Sequence, residues 1–326
     1  MFNITSKDNN LYNLDTLKIG NSLLRGFTFT EFKGDLGNLT EAKNMFYECK
    51  QLETFTADLH SLRNGRNMFY GCTSLTKFQD ESGAIPNLDN LVDAKNMFRW
   101  GPIFDIWNRN LPNLVDGESM FMDMQSLETF VADMPKLTIT TYMFRTCKNL
   151  TNFIVNISSP NLKGLDISAS KITPNSVLSV LESSAPNVSA TFALGVGIVI
   201  KDADGNALSA EEQQANKDAF AQEIGFETFN DLIQAFRAKG KTVNWTFNGS
   251  PTSSNTLDMG GLPVPIYAKL EESSEEMAEY CTEDGEKFYN IIWCHQPHDP
   301  SEWNYFGSLL EACGYWGVIP KEYLEK

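Results

Sequence analysis

The dipeptide Met-Phe recurs through the first half of this 326-residue chain, usually at intervals of 23 residues. The five occurrences begin at Met45, Met68, Met97, Met120 and Met143. A degenerate copy precedes them at Ser22, and the third copy carries six extra residues between Gln79 and Pro86. A unit of this length cannot bury its own apolar face, but stacked copies share a continuous core. The repeat therefore predicts an elongated solenoid in which equivalent residues of successive coils lie on top of one another.

Columns of apolar residues keep their phase through the copies when the Met position is counted as zero. The column one residue on begins with Leu23 and continues as phenylalanine, and the column seven residues on is mostly leucine. The expected core ladders are Phe46, Phe69, Phe98, Phe121 and Phe144, with Leu52, Leu75, Leu127 and Leu150 beside them. In the column four residues on, we interpret Cys49, Cys72 and Cys147 as small buried hydrophobes rather than redox or metal groups. The spacing favours a coil that turns corners and holds a short strand at positions eight to twelve.

A polar column thirteen residues after the Met position contains only aspartate and asparagine. Its members are Asp35, Asp58, Asn87, Asn110, Asp133 and Asn156. Such side chains accept hydrogen bonds from backbone N–H groups at tight corners, and we assign them this role. A ladder of bound cations is the alternative, less favoured because half of the members are amides and hard cations need several carboxylates. A second polar column, largely asparagine, directly precedes the Met and is assigned the same corner role.

The sequence of the repeat resembles that of a known family. Residues 44–52 (NMFYECKQL) and 67–75 (NMFYGCTSL) closely resemble the BspA-like leucine-rich repeat, whose 23-residue unit has the pattern Phe-x-x-Cys-x-x-Leu. The resemblance covers about residues 21–165, and the chain departs from it at position twelve, where the second strand leucine is missing. It implies an interaction scaffold, commonly a bacterial surface adhesin, and the repeats are also similar to those of proteins from tailed phages of gut bacteria.

The sequence predicts an α/β repeat solenoid of about six 23-residue coils plus a longer helical coil, followed by a small α+β C-terminal domain. The predicted boundaries are an N-terminal cap at 1–20, the solenoid at 21–190, a helical and strand cap at 191–249, a linker at 250–255 and an acidic α+β module at 256–326. Within 21–190, a helix opened by Thr173-Pro174 is expected on the outer side of the longer coil. The module is expected to contain strands at 264–270 and 288–294 and a helix from Asp299 to Gly314.

Between the solenoid and the linker, further elements are predicted. A strand is expected over 191–200, followed by a hairpin turn at 202–206 in preference to a calcium loop, because the glycine and the twelfth residue do not fit an EF-hand. Helices are expected to begin after Ser209, which opens a capping box, and around Thr228. A strand over 242–247 completes the region.

Charge argues against two classes of partner. The net charge is −16, which disfavours nucleic acid and anionic membranes as partners. Residues 271–326 hold 13 acidic and 3 basic residues, so we interpret the terminal module as a docking or oligomerisation unit.

Catalytic and metal chemistry find little support in the sequence. No nucleophile elbow, phosphate loop or dinucleotide fingerprint occurs, so we predict a non-catalytic protein without a cofactor. One set of residue types suits zinc: Cys281, Cys294, His295 and His298. No pair among them has Cys-x-x-Cys spacing, and packing explains Cys294 at the end of an apolar strand, so zinc is the less favoured interpretation.

A partner face is predicted from the residues between the ladders. Lys77, Ile106, Asn108, Glu128 and Val131 are its expected members, and Arg99 and Trp100 are the expected anchors. Tryptophan and arginine dominate many binding interfaces. The alternative is that Trp100 only covers an irregular corner of the fourth copy.

Two biological settings compete. The chain begins with Met and shows no secretion signal, which favours a phage virion component over a conventional adhesin. In that setting the solenoid faces outward to a protein or glycan of the host surface, and the acidic module docks to a larger assembly or forms a homo-oligomer. A bacterial surface or secreted adhesin is the alternative. No apolar stretch is long enough to span a bilayer, so membrane insertion is not expected.

Overall fold

The computed structural model describes residues 14 and 16–247, together with the backbone of three short strands further along the chain. The chain divides into two compact units, Met1–Asn255 and Thr256–Lys326. The strands of the first unit are β1 (Glu31–Lys33), β2 (Thr54–Thr56), β3 (Lys77–Gln79), β4 (Ile106–Trp107), β5 (Thr129–Asp133), β6 (Asn152–Asn156), β7 (Gly164–Ile172), β8 (Ala190–Val196) and β9 (Lys241–Phe247). Its helices are α1 (Pro174–Ser183), α2 (Ala210–Gln222) and α3 (Phe229–Ala238). Among these residues no helix is long and apolar enough to cross a membrane.

Each of the first six strands belongs to one coil of the repeat. Parallel pairing gives two three-stranded sheets, β1-β2-β3 and β4-β5-β6. The register places equivalent residues side by side, with Phe32 beside Phe55 and Phe55 beside Phe78. The predicted solenoid of stacked coils is thereby confirmed.

The corners of the coils form a second ladder opposite these strands. Phe46 N donates to Met68 O at 2.9 Å, and the same bond recurs from coil to coil at alternate residues. Each corner places two residues in the left-handed region of backbone space. In the six corners they are Ser22, Gly26, Asn44, Glu48, Asn67, Gly71, Asn96, Trp100, Ser119, Asp123, Tyr142 and Thr146. Asparagine enters this region more readily than most residues, which explains the asparagine column before the Met.

The aspartate and asparagine column lies at a second corner of each coil. In three coils its side chains form the hydrogen bonds that we expected. Asp35, Asp58 and Asn87 each accept a hydrogen bond from the backbone N–H two residues on, at 2.8–2.9 Å. Asn110 instead accepts from Asp133 N of the next coil at 3.0 Å. The column thus satisfies backbone groups both within a coil and between coils.

The register predicted for the degenerate first copy is wrong by one residue at its corner. Leu24 N donates to Met45 O, so Leu24, not Leu23, is the equivalent of Phe46. Leu24 is 4% exposed whereas Leu23 is 40% exposed. The first coil is one residue shorter between corner and strand, because Ser22 takes the left-handed corner position while Phe32 keeps its strand register.

Two interleaved ladders of aromatic rings fill the core. The corner ladder contains the phenylalanines that follow the Met, and the strand ladder contains Phe32, Phe55, Phe78, Trp107, Phe130 and Phe153. Rings stack within a ladder, as in Phe46–Phe69 at 5.3 Å, and meet edge to face between ladders, as in Phe46–Phe55 at 5.4 Å. Both arrangements are favoured by the ring quadrupole. All members are buried.

The six-residue insertion interrupts the sheet between the third and fourth coils. Strands β3 and β4 belong to different sheets. After β3 the Asp80 side chain accepts hydrogen bonds from the N–H groups of Ser82 and Ala84, which folds the insertion into a turn. Arg109 donates from its guanidinium to Ile85 O and so fastens the end of the insertion to the fourth coil.

Helix α1 ends the second sheet. Thr173 caps the helix and Pro174 begins it, as expected. The helix does not lie on the outer side of a coil as predicted, because it packs against the edge of β6. There the Ser176 and Ser179 hydroxyls accept hydrogen bonds from Phe153 N and Val155 N at 2.8 and 2.9 Å. The serines replace the partner strand that an open edge would need.

The chain continues as a parallel sheet in the order β7-β8-β9. Strand β8 is its central strand, so residues on both sides of the predicted boundary at 190/191 share one sheet. The predicted turn at 202–206 and the capping boxes of α2 and α3, opened by Ser209 and Thr228, are present. Helix α3 packs on β9 through Phe229 and Phe236, whose rings contact Trp245.

In the second unit the described backbone forms an antiparallel sheet of β10 (Glu279–Cys281), β11 (Lys287–Asn290) and β12 (Val318–Pro320). Strand β11 overlaps the predicted strand at 288–294. The predicted strand at 264–270 and the helix from Asp299 lie outside the described residues. So do Cys294, His295 and His298 of the zinc hypothesis, and of Cys281 only the backbone is described.

Candidate interaction surfaces

The outer side of the six strands is the first candidate surface, which we call the strand face. Side chains on either side of each buried aromatic point away from the core. In the first sheet they are polar or charged and include Lys33 and Lys77. In the second sheet Ile106 is 50% exposed and Val131 36%, and Val131 lies beside Ile154 of the next strand. The second sheet thus places three apolar side chains, Ile106, Val131 and Ile154, among polar ones such as Thr129 and Asn152, and we call it the apolar half of the strand face.

The predicted partner residues fall into two groups. Lys77, Ile106, Asn108 and Val131 lie on the strand face, because each flanks a buried aromatic residue. Glu128 is exposed directly before β5. Arg99 and Trp100 lie at the corner of the fourth coil, on the other side of the aromatic core. The single face that the sequence suggested is therefore two surfaces.

Arg99 and Trp100 complete a line of stacked side chains that we call the corner stripe: Arg25, Tyr47, Tyr70, Arg99 and Trp100. The rings of Tyr47 and Tyr70 stack at 4.8 Å with 4° between their planes, and Tyr70 meets Trp100 edge to face at 5.6 Å. The Arg25 guanidinium lies 4.6 Å from the Tyr47 ring centre. The Arg99 guanidinium lies over both Trp100, at 4.7 Å, and Tyr70, at 6.0 Å.

The tyrosines of the stripe are partly buried and remain protonated. Burial raises the pKa of both phenols above the usual value of 10, and the Glu48 carboxylate adds to the rise at Tyr47. Arg99 opposes it at both rings through its positive charge. The Arg99 Nε is buried and has no hydrogen-bond partner among the described residues, so its charge is incompletely compensated within the fold.

Trp100 both covers the corner and remains accessible. It contacts Tyr70 and Arg99, yet it is 36% exposed. Its φ of 51° is costly for a bulky side chain, and the preceding coil places Gly71 at the equivalent position. Tyr47 and Tyr70 were not predicted as interface residues. The sequence nevertheless places them in one column with Arg99, two residues after the Met.

A charged surface beside the stripe is already compensated. Lys43 lies 3.7 Å from Glu41, Arg66 lies 3.3 Å from Asp93, and Lys95 lies 2.7 Å from Glu118. Such paired charges leave little net field for a ligand. Among residues 14 and 16–247, no group of three or more His, Cys, Asp or Glu side chains is arranged to hold a metal ion.

The cysteine column is part of the core. The Sγ atoms of Cys49, Cys72 and Cys147 lie 3.1–3.2 Å from carbonyl oxygens of the preceding coil, to which the thiols donate. All three are buried and free of disulfides. Burial raises the pKa of Cys49 to about 11, and it raises the pKa values of the other two thiols as well.

These shifts predict a loss of stability in alkali. A thiol whose pKa is raised in the folded state stabilises the fold fully below the unfolded pKa of 9.0, and that contribution is lost as the pH rises toward about 11. We expect the free energy of unfolding in urea to fall between pH 8.5 and 10.5 by roughly 1.4 kcal/mol for each unit of pKa difference that is crossed. A variant with alanine at all three positions should show a flatter dependence. An equal slope in both proteins would contradict the prediction.

The comparison with family models identifies the repeats. A model described as a BspA-type leucine-rich repeat region matches six copies, over residues 9–88 and 111–176. Over these matched residues the repeats are those of a BspA-type leucine-rich repeat region. The unmatched residues between the two stretches, 89–110, contain the corner of the fourth coil with Arg99 and Trp100, where the leucine-rich repeat is most altered. Leucine-rich repeats generally mediate protein–protein interaction and are typically non-enzymatic. No curated protein and no solved structure matched the chain.

Proposed function

We propose that this leucine-rich-repeat protein is a recognition component of a phage virion, which binds a protein of the host surface through the apolar half of its strand face. The apolar half of the strand face carries the proposal. Ile106 and Val131 are exposed on neighbouring strands and flanked by polar residues, which is the composition of a binding patch with a polar rim. A solenoid holds such residues on a rigid scaffold, so little conformational entropy is lost on binding.

The virion setting is supported by the organisation of the chain and by its repeats. A repeat array suited to recognition is joined to a separate unit whose sequence is strongly acidic, as a component that both binds and docks requires. The resemblance of the repeat sequence to repeats of tailed-phage proteins favours the same setting. A surface or secreted bacterial adhesin is the alternative setting.

Mass spectrometry of purified phage particles from the producing culture tests the setting. We expect peptides from both units of the chain in particles banded by density, at a constant ratio to the capsid protein. Peptides that appear only in the bacterial envelope fraction would contradict the virion proposal and favour the adhesin. Treatment of the particles with high salt and nuclease before analysis controls for adsorbed protein.

The strand face is tested by a pair of surface substitutions. The fluorescently labelled Ile106→Glu/Val131→Glu variant should bind intact host cells about tenfold more weakly than the parent, a loss of ~1.4 kcal/mol, because charges replace the centre of the apolar patch. Flow cytometry over a concentration series measures the binding. Lys33→Gln, in the first sheet, is the matched control and should bind like the parent. Equal binding by all three proteins would contradict the role of the patch.

A further inference from the structure

We propose that the corner stripe is a second interaction surface, which binds an acidic segment of a protein partner in extended conformation. It lies across the aromatic core from the strand face, and it does not depend on the function proposed above. The ring contacts of its arginines, the residues near them and their spacing all favour such a partner.

Arginine recurs at one position of the corners and always lies against a ring. Besides Arg25 over Tyr47 and Arg99 over Trp100, Arg145 lies 5.0 Å from the centre of Tyr142. Among the described residues, no carboxylate oxygen lies within 4.0 Å of the nitrogens of these three guanidiniums. The cations directly before the asparagine column, Lys43, Arg66 and Lys95, are instead paired with acids.

Each of these guanidiniums lies 4.6–5.0 Å from a ring centre, and its N–H donors stay in its own plane. This geometry suits a planar carboxylate, which accepts two parallel hydrogen bonds from one arginine. The ring restricts the arginine side chain before binding, so less entropy is lost when the pair forms. The Nε of Arg99 has no hydrogen-bond partner among the described residues. It adds to the attraction for an anion, because the positive charge of Arg99 lies partly buried without a full set of acceptors.

The ring arrangement favours a peptide over a carbohydrate. A sugar stacks on an open ring face, but in the stripe one face of Tyr47 meets Tyr70, and Trp100 carries the Arg99 guanidinium. Arg25 is exposed and Arg99 is half-buried, so both guanidiniums can be reached from solvent. They suit the carboxylates of a peptide.

The spacing sets the pattern of the peptide. Arg25 and Arg99 belong to coils three steps apart, which places their backbones about 14 Å apart at ~4.8 Å for each step. An extended peptide rises ~3.3 Å for each residue, so two carboxylates four or five residues apart can reach both guanidiniums. Glu48 lies beside the tyrosines between them and repels acids there. The intervening peptide residues are therefore expected to be uncharged.

Fluorescence anisotropy tests the proposal with a labelled synthetic peptide that carries two glutamates separated by four uncharged residues, at about 0.15 M salt, where only nearby charges contribute. We expect saturable binding to the full chain. Arg99→Gln and Arg25→Gln should each weaken it about tenfold, and Arg99→Lys should weaken it less, because lysine keeps the charge but not the planar fork. Glu48→Gln should strengthen it roughly twofold to threefold by removing the repulsion.

Matched controls separate the stripe from the overall charge and from the strand face. Lys77→Gln removes one positive charge from the strand face and should leave peptide affinity unchanged, as should Val131→Glu. The same peptide with glutamine in place of glutamate should not bind. Circular dichroism melting checks each variant, and Arg25→Gln, in the first coil, serves if Arg99→Gln does not fold. Absence of binding by the parent, equal binding of the glutamine peptide, or an equal loss in Lys77→Gln would overturn the proposal.

Discussion

The Phe121→Asp substitution should unfold the whole solenoid and not only the coil that carries it. Phe121 is fully buried, stacks on Phe98 at 5.8 Å and on Phe144 at 5.5 Å, and meets Trp107 and Phe130 edge to face. Loss of the ring and burial of an unpaired carboxylate together cost at least ~5 kcal/mol, which equals the whole stability of many domains. Because each coil is stabilised only by its neighbours, a defect in the fifth coil removes support from both sides.

Circular dichroism during urea and thermal unfolding measures this effect. Phe121→Leu is the matched control, since it keeps an apolar side chain in the ladder and should fold with a stability lowered by only ~1–2 kcal/mol. A Phe121→Asp protein with the melting curve of the parent would show that the two aromatic ladders do not form the core.

Gly195→Ala should produce the second large loss of stability. A Cβ atom at Gly195 would lie 2.5 Å from Ser168 O and close against Ser170 O, both in the backbone of β7. Backbone oxygens cannot rotate away, so β7 and β8 must separate where β7 is already irregular between Ile167 and Ile172. We expect a cost of about 3 kcal/mol, at the upper end of the overpacking range.

Gly197→Ala, directly after the same strand, is the control for this substitution. Its Cβ would meet only Lys171 O at 3.6 Å, an ordinary van der Waals contact. The difference between the two variants in urea unfolding isolates the steric effect from the general effect of replacing glycine. Equal stability of the two variants would contradict the close approach of β7 to β8.

Much of the fold could be predicted because a 23-residue period leaves few alternatives. Residues that recur at fixed intervals stack when the coils stack, so the positions of Phe69 or Leu75 in the core follow from their columns alone. The capping residues Thr173, Ser209 and Thr228 could be predicted equally well, since capping depends on a few adjacent residues. The predicted register of the first coil is wrong because Ser22 and Leu23 leave that register ambiguous. Only pairing with the second coil determines the register.

The candidate surfaces could be predicted less well from the sequence, because no periodic rule governs side chains that point to solvent. Arg99 and Trp100 were identified by residue type, but their partners Tyr47 and Arg25 come from other coils and became neighbours only through stacking. Likewise, the division of the strand face into two sheets depends on where the insertion after β3 interrupts the strand pairing.

By itself, the sequence determined that the chain stacks into coils and which residues fill them, since burial of apolar columns is the dominant favourable term and acts on every copy alike. The tertiary structure alone decided that α1 closes the edge of β6 and that two arginines lie on a line of tyrosines. Those arrangements depend on distances between coils, which the sequence of a single coil does not contain.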